Sequence, residues 1–123
     1  EKMTQISGNV FSNESDLAKV LRWIGIASAN VNKMDYAASG GIHSPESVVK
    51  AILAGASAVE ICSALYQSSY FIIEEYIRFL NLWMDRKGME TINQFKGILN
   101  VSDPKGVNTF ERTQFLKYFS SRE

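Results

Sequence analysis

Leu17, Val20, Leu21 and Ile24 repeat at the i, i+3, i+4, i+7 spacing of one buried helical face. Ser12 or Asn13 stands where an N-cap is wanted, and the pattern fades over 28–32. Met34 to Ser39 is apolar and small, and reads as a strand. Ser44 and Pro45 then give a strong helix start, with cap and first helical position in order. The core face of that helix is Val48, Val49, Ile52 and Leu53, and Gly55 stops it. Ala58 to Cys62 is the second strand. The longest helix is predicted from Ser69 to Lys87, with Tyr70, Ile73, Tyr76, Ile77, Leu80 and Met84 at helical spacing, Trp83 joining them and Gly88 ending it. Thr91 to Phe95 is a short helix closed by Gly97. At the margins, Met3 to Ile6 reads as a strand followed by a turn at Ser7-Gly8-Asn9. Ser102 to Asn108 reads as a polar loop, and Phe110 to Phe119 as an amphipathic helix.

The two clear strands bracket one helix. A connection this short returns the chain parallel to itself, with a right-handed crossover expected. Two parallel strands cannot cover both edges of a sheet, and parallel sheets are usually buried on both faces. The pattern therefore predicts an α/β chain, helix-rich, that is the end of a β/α barrel or a wound sheet rather than the whole of one. The chain begins without Met and enters structure almost at once, as a piece of a longer protein would. Open strand edges and uncovered apolar helix faces predict self-association, so a homo-oligomer is expected.

Composition narrows the class. The 123 residues make one small domain with a core. Hydrophobic content of 46% with 21% charged residues fits a globular protein. Lys+Arg and Asp+Glu are 13 each, which argues against a dedicated nucleic-acid or anionic-membrane binder. Cys62 stands alone, so no internal disulfide forms, and the cytoplasm is the expected compartment. No apolar run approaches the ~20 residues that span a bilayer.

Candidate chemistry sits where the strands end. Ser39-Gly40-Gly41 and Cys62-Ser63-Ala64 both put small residues there, so backbone N–H groups can approach a ligand, and phosphate is the usual occupant. The competing reading of the glycines is a turn that needs positive φ. That of Cys62-Ser63 is a small strand end packed beneath a helix. Nothing near Cys62 in sequence supplies a base or cation, so it reads as a small buried residue rather than a nucleophile. His43 reads as a solvated loop histidine, with a ligand contact as the alternative. One His and one Cys cannot build a zinc site. Glu60, a charge within a strand, either points into a barrel interior, caps a pairing at its rim, or lies on a partly exposed edge. Tyr70, Phe71, Tyr76, Phe79 and Trp83 read as core and interface rather than a base-stacking surface.

At these residues the chain resembles the C-terminal part of the dihydroorotate dehydrogenases, of the class 1-like, bacterial dihydroorotate dehydrogenase-like branch. Ala38-Ser39-Gly40-Gly41-Ile42 is similar to that family's small-Thr/Ser-Gly-Gly-Ile motif after the seventh strand. Cys62-Ser63-Ala64-Leu65 is similar to its Gly-Thr-Ala-Leu after the eighth, with Cys62 in place of a glycine. Leu53-Ala54-Gly55-Ala56, the stretch from Trp83 to Gly88, and Ile92 to Gly97 look like the same family. Ser7-Gly8 is similar to its Ser-Gly after the sixth strand. The tail from Asp103 to Phe119 looks like an extension within that branch.

The resemblance implies the C-terminal part of an FMN-binding (β/α)8 TIM barrel. It implies that Gly8, Ser39, Gly40, Gly41, Cys62 and Ser63 serve the FMN phosphate. The whole enzyme would oxidise dihydroorotate, or a similar small molecule, to orotate in pyrimidine biosynthesis. That family's catalytic base, its flavin-proximal lysine and its orotate-gripping asparagines lie earlier in the chain, so this stretch carries no catalytic residue. Two rivals remain on the residues alone. One is another phosphate-binding TIM-barrel enzyme without flavin; the other is a non-catalytic association module.

Overall fold

The computed structural model describes residues 11–100. The expected strand over 3–6, the turn containing Gly8, the loop over 102–108 and the helix over 110–119 lie outside the described residues.

Asn13 starts the first helical stretch. Its side chain accepts from the Ser15 N–H at 2.9 Å, and the Asp16 carboxylate accepts from the Asn13 N–H at 2.9 Å, so two orphan donors are satisfied reciprocally. A single 3-10 turn, Glu14–Asp16, leads into α1, Leu17–Asn30. Tyr36 ties down the far end of α1: its hydroxyl donates to the carbonyls of Ala27 at 3.1 Å and Val31 at 2.8 Å. The chain then enters β1, Ala37–Ser39.

Next comes α2, Pro45–Ala54, capped by Ser44 and ended by Gly55 at φ 122°. Val49 and Ile52 are buried as the periodicity predicts, but so are Ser47, Ala51 and Ala54. The reason is position: α2 packs against α1 on one side and α4 on the other. Then follow β2, Ala58–Glu60, the short α3, Ser63–Gln67, and α4, Phe71–Lys87. Gly88, left-handed at φ 67°, ends α4. A second 3-10 turn, Ile92–Gln94, follows.

β1 and β2 pair in parallel, with Ala37 opposite Ala58, Ala38 opposite Val59 and Ser39 opposite Glu60. Both strands are shorter than the apolar runs that predicted them. Gly40 and Gly41 adopt positive φ directly after Ser39 and turn β1 away, so β2 loses its partner beyond Glu60. The two faces of this pair differ. Ala38 is fully buried and Val59 packs against the core, whereas Ala37, Ser39, Ala58 and Glu60 are exposed.

The core forms on the helix-covered face. Ile24, Ala38, Ile42, Ala51, Ala54 and Tyr76 make one cluster, and Ile52, Met84 and Phe95 make a second. The face of α4 departs from expectation. Tyr76 and Met84 are buried and Leu80 and Trp83 pack beside them, but Tyr70, Ile73 and Ile77 are exposed, and so is Phe71. Ile72 packs on the core instead. Apolar residues stand on more than one side of this helix, so spacing alone picks the wrong stripe at its first turns. α3 is also unanticipated: Cys62 to Leu65 reads as a strand end, yet helix begins at Ser63.

Candidate functional site

Three segments far apart in sequence meet beyond the finishing ends of β1 and β2. They enclose a cleft of roughly 190 Å³ lined by Ser12, Ser39, Gly40, Glu60, Cys62 and Ser63. Ligand pockets for drug-sized molecules run to about 300–1,000 Å³, so this cleft suits a group of phosphate size.

Hydrogen bonds hold the segments together. The Ser12 N–H donates to Ser63 Oγ at 3.0 Å, and the two serine hydroxyls lie 3.2 Å apart. His43 Nε2 lies 2.9 Å from the Ser12 carbonyl oxygen. That oxygen can only accept, so Nε2 carries the proton in this bond. His43 is therefore half-buried and latched to the segment before α1, not the solvated loop residue that its sequence neighbourhood predicts. Ser12, expected at most as a helix cap, lies at the centre of the site. Fifty-one positions separate it from Ser63, and no local pattern connects them.

The two glycines divide their work. A Cβ on Gly41 would stand 2.3 Å from the Leu17 backbone nitrogen and 2.7 Å from its Cα. Gly41 is buried, and its missing side chain lets the loop pack onto the start of α1. A Cβ on Gly40 would meet only Val20 Cγ2, at an ordinary 3.7 Å, and Gly40 lines the cleft. Both have positive φ, 96° and 75°.

Ser63 is buried, with its hydroxyl turned toward Ser12. Cys62, expected to be buried, is exposed, because it opens α3 at the surface where β2 has already lost its partner. Glu60 is exposed on the uncovered sheet face, opposite Ser39, and among the described residues carries the one formal charge on the cleft wall. A second cleft, roughly 520 Å³ and lined by Ile61, Leu65, Tyr66 and Tyr70, shares Cys62 with the first. Phe11 packs against Tyr66 there in a tilted arrangement, with ring centroids 5.4 Å apart and the ring planes at 55°.

Among the described residues, the donors that line the smaller cleft for an anion are neutral: backbone N–H groups and serine hydroxyls. Glu60 opposes it, by about 1 kcal/mol for unit charges 4 Å apart in water and about 4 kcal/mol at a surface dielectric of 20. Among the described residues no group of three or more His, Cys, Asp or Glu could hold a metal ion. No helix of the described residues is long and apolar enough to cross a membrane.

No protein-family model matches the chain. Over 65 residues it is 35% identical to a Streptococcus pyogenes serotype M5 (strain Manfredo) protein named "Putative dihydroorotate dehydrogenase A (fumarate)". The matched stretch covers 53% of this chain and 21% of that protein. The chain thus spans about a fifth of the length of the curated relative it matches.

Proposed function

We propose that the chain is the C-terminal portion of an FMN-dependent, dihydroorotate dehydrogenase-like oxidoreductase built on a (β/α)8 barrel. On this reading the finishing ends of β1 and β2 hold the FMN phosphate. The observation that carries it is the parallel pair itself: among the described residues helices cover one face and leave the other bare, and both strands finish at one phosphate-sized cleft. In β/α barrels a phosphate commonly sits after the last two strands. The similarity to a protein named as a dihydroorotate dehydrogenase supports the same reading.

The residues present fit a phosphate group. Gly40, Ser39, Cys62 and Ser63 line the cleft, and Gly41 sits behind it against Leu17. Gly8 would join them from outside the described residues. FMN, when bound, supplies an acceptor for the two electrons that leave dihydroorotate as it becomes orotate. This chain's own residues bind and orient. Ser63 Oγ accepts the Ser12 N–H and keeps its own proton to donate, and His43 holds Ser12 in place. The base that takes the substrate proton is assigned to sequence upstream of Glu1.

The test is expression of the complete reading frame that contains residues 1–123. The expected product is yellow, absorbs in the blue, and releases FMN on denaturation. Dihydroorotate should bleach the flavin band. Ser63→Ala should weaken FMN binding by about 0.5–1.5 kcal/mol, the worth of one hydroxyl hydrogen bond. The 123-residue chain alone, with added FMN, should oxidise dihydroorotate no faster than the blank. A protein that takes up inorganic phosphate but no flavin would instead be a phosphate-binding barrel of another chemistry.

A further inference from the structure

The phosphate reading leaves Glu60 unexplained. A carboxylate on the wall of a cleft that otherwise offers hydroxyls, a thiol, Ile42 and bare backbone repels a free anion. Among the described residues Glu60 has no salt-bridge or hydrogen-bond partner of its own. It faces the uncovered side of the sheet, directly across from Ser39. Its oxygens can only accept when ionised, so they call for a donor on whatever occupies the cleft. On the phosphate reading, a cleft of this volume takes the phosphate and leaves the rest of the molecule to pass along the sheet face that the described residues leave uncovered, past Glu60.

We infer that Glu60 is a specificity residue of this cleft: it accepts a hydrogen bond from a hydroxyl of a polyhydroxylated phosphate ester and discriminates against bare inorganic anions. The inference rests on the proposal that the cleft binds phosphate. The ester offers a donor that offsets the repulsion, and inorganic dianion brings charge without a matched carbon-chain hydroxyl.

The experiment compares wild type with Glu60→Gln in the protein from the complete reading frame, stripped of ligand. FMN and inorganic phosphate are titrated separately. Glutamine keeps the shape and one acceptor oxygen but removes the charge. FMN should bind about five- to tenfold more weakly, since a hydrogen bond to an ionised acceptor is roughly twice as strong as a neutral one. Inorganic phosphate should bind about fivefold more tightly, since removing a like charge from the cleft wall relieves repulsion comparable to the ~1 kcal/mol felt by unit charges about 4 Å apart in water. Riboflavin, which keeps the hydroxyls without the phosphate, should weaken more than FMN, because it gains nothing from the removed repulsion. Opposite shifts for ester and inorganic ion support the inference. FMN binding with affinities that do not move, or that move together, overturns it and leaves the phosphate site standing. A wild-type protein that binds neither FMN nor phosphate overturns both.

Discussion

Where β1 and β2 begin, the chain satisfies its own polar groups; where they finish, it leaves them facing a cleft. At the starting end the Ser57 hydroxyl donates to Asp35 at 2.7 Å and Lys96 Nζ lies 3.1 Å from the same hydroxyl oxygen. Ser28 Oγ donates to the Ala54 carbonyl at 3.0 Å. The N–H groups of Gly97 and Leu99 donate to the last carbonyls of α2, those of Ile52 and Leu53, at 2.9 and 3.0 Å. Orphan carbonyls at a helix end are thus capped by later chain. At the finishing end, among the described residues, Ser12, His43 and Ser63 join the segments, and Glu60 and Cys62 are exposed. On the proposed reading the starting end serves stability and the finishing end a ligand, the division seen between the two faces of β/α barrels.

Substitutions at each end test this contrast. The largest effect is expected from Phe95→Ala, which belongs to the closed end. Phe95 is fully buried, meets the Trp83 ring in a tilted contact with centroids 5.0 Å apart, and packs with Ile52 and Met84. Its loss should cost about 3–5 kcal/mol in a urea titration. A cost below about 1 kcal/mol would mean that the segment after α4 does not close this end.

Gly41→Ala and Gly40→Ala separate packing from binding within two adjacent residues. Gly41→Ala combines left-handed strain with a collision against Leu17, for about 3 kcal/mol of stability. Gly40→Ala meets only the strain, about 1–2 kcal/mol. Flavin retention in the full protein should nevertheless fall in Gly40→Ala under conditions where it stays folded. Equal stability costs at the two positions would remove the distinction.

Tyr76 provides a pH handle near the finishing end. Its pKa is raised above the ordinary 10.0, first by burial and then by Glu75, Glu46 and Glu14. The unfolded chain therefore loses this proton at lower pH than the folded one. Stability is fully present below pH 10 and falls as pH rises from 10 toward the folded value. Tyr76→Phe should flatten that alkaline limb of a stability–pH curve. An unchanged limb would place the cause in another group.

The smallest effect is expected from Asp35→Asn. Asp35 is 87% exposed and its contact with Lys96 is 3.8 Å long. The cost should be under about 1 kcal/mol and should shrink in salt, with flavin retention unchanged. A change in flavin retention would couple the two ends.

Local chemistry determined much of this protein. Caps at Asn13 and Ser44, the stop at Gly55 and the left-handed end at Gly88 act through their own few neighbours, so the helices they bound are legible along the chain. The two strands, their parallel order and the small residues at their finishing ends are legible for the same reason: one short helical connection leaves few alternatives. Tertiary structure decided the rest. Which glycine faces the cleft depends on where Leu17 arrives, and Gly41 takes the packing role only because α1 starts against it. Ser12 joins Ser63, and His43 joins Ser12, through contacts 51 and 31 positions apart that no periodicity encodes. The buried stripe of α4 was likewise set by α2, which covers Tyr76 and Met84 and leaves Ile73 and Ile77 in solvent. An apolar residue prefers burial on any side of a helix, and only the neighbour's position selects the side.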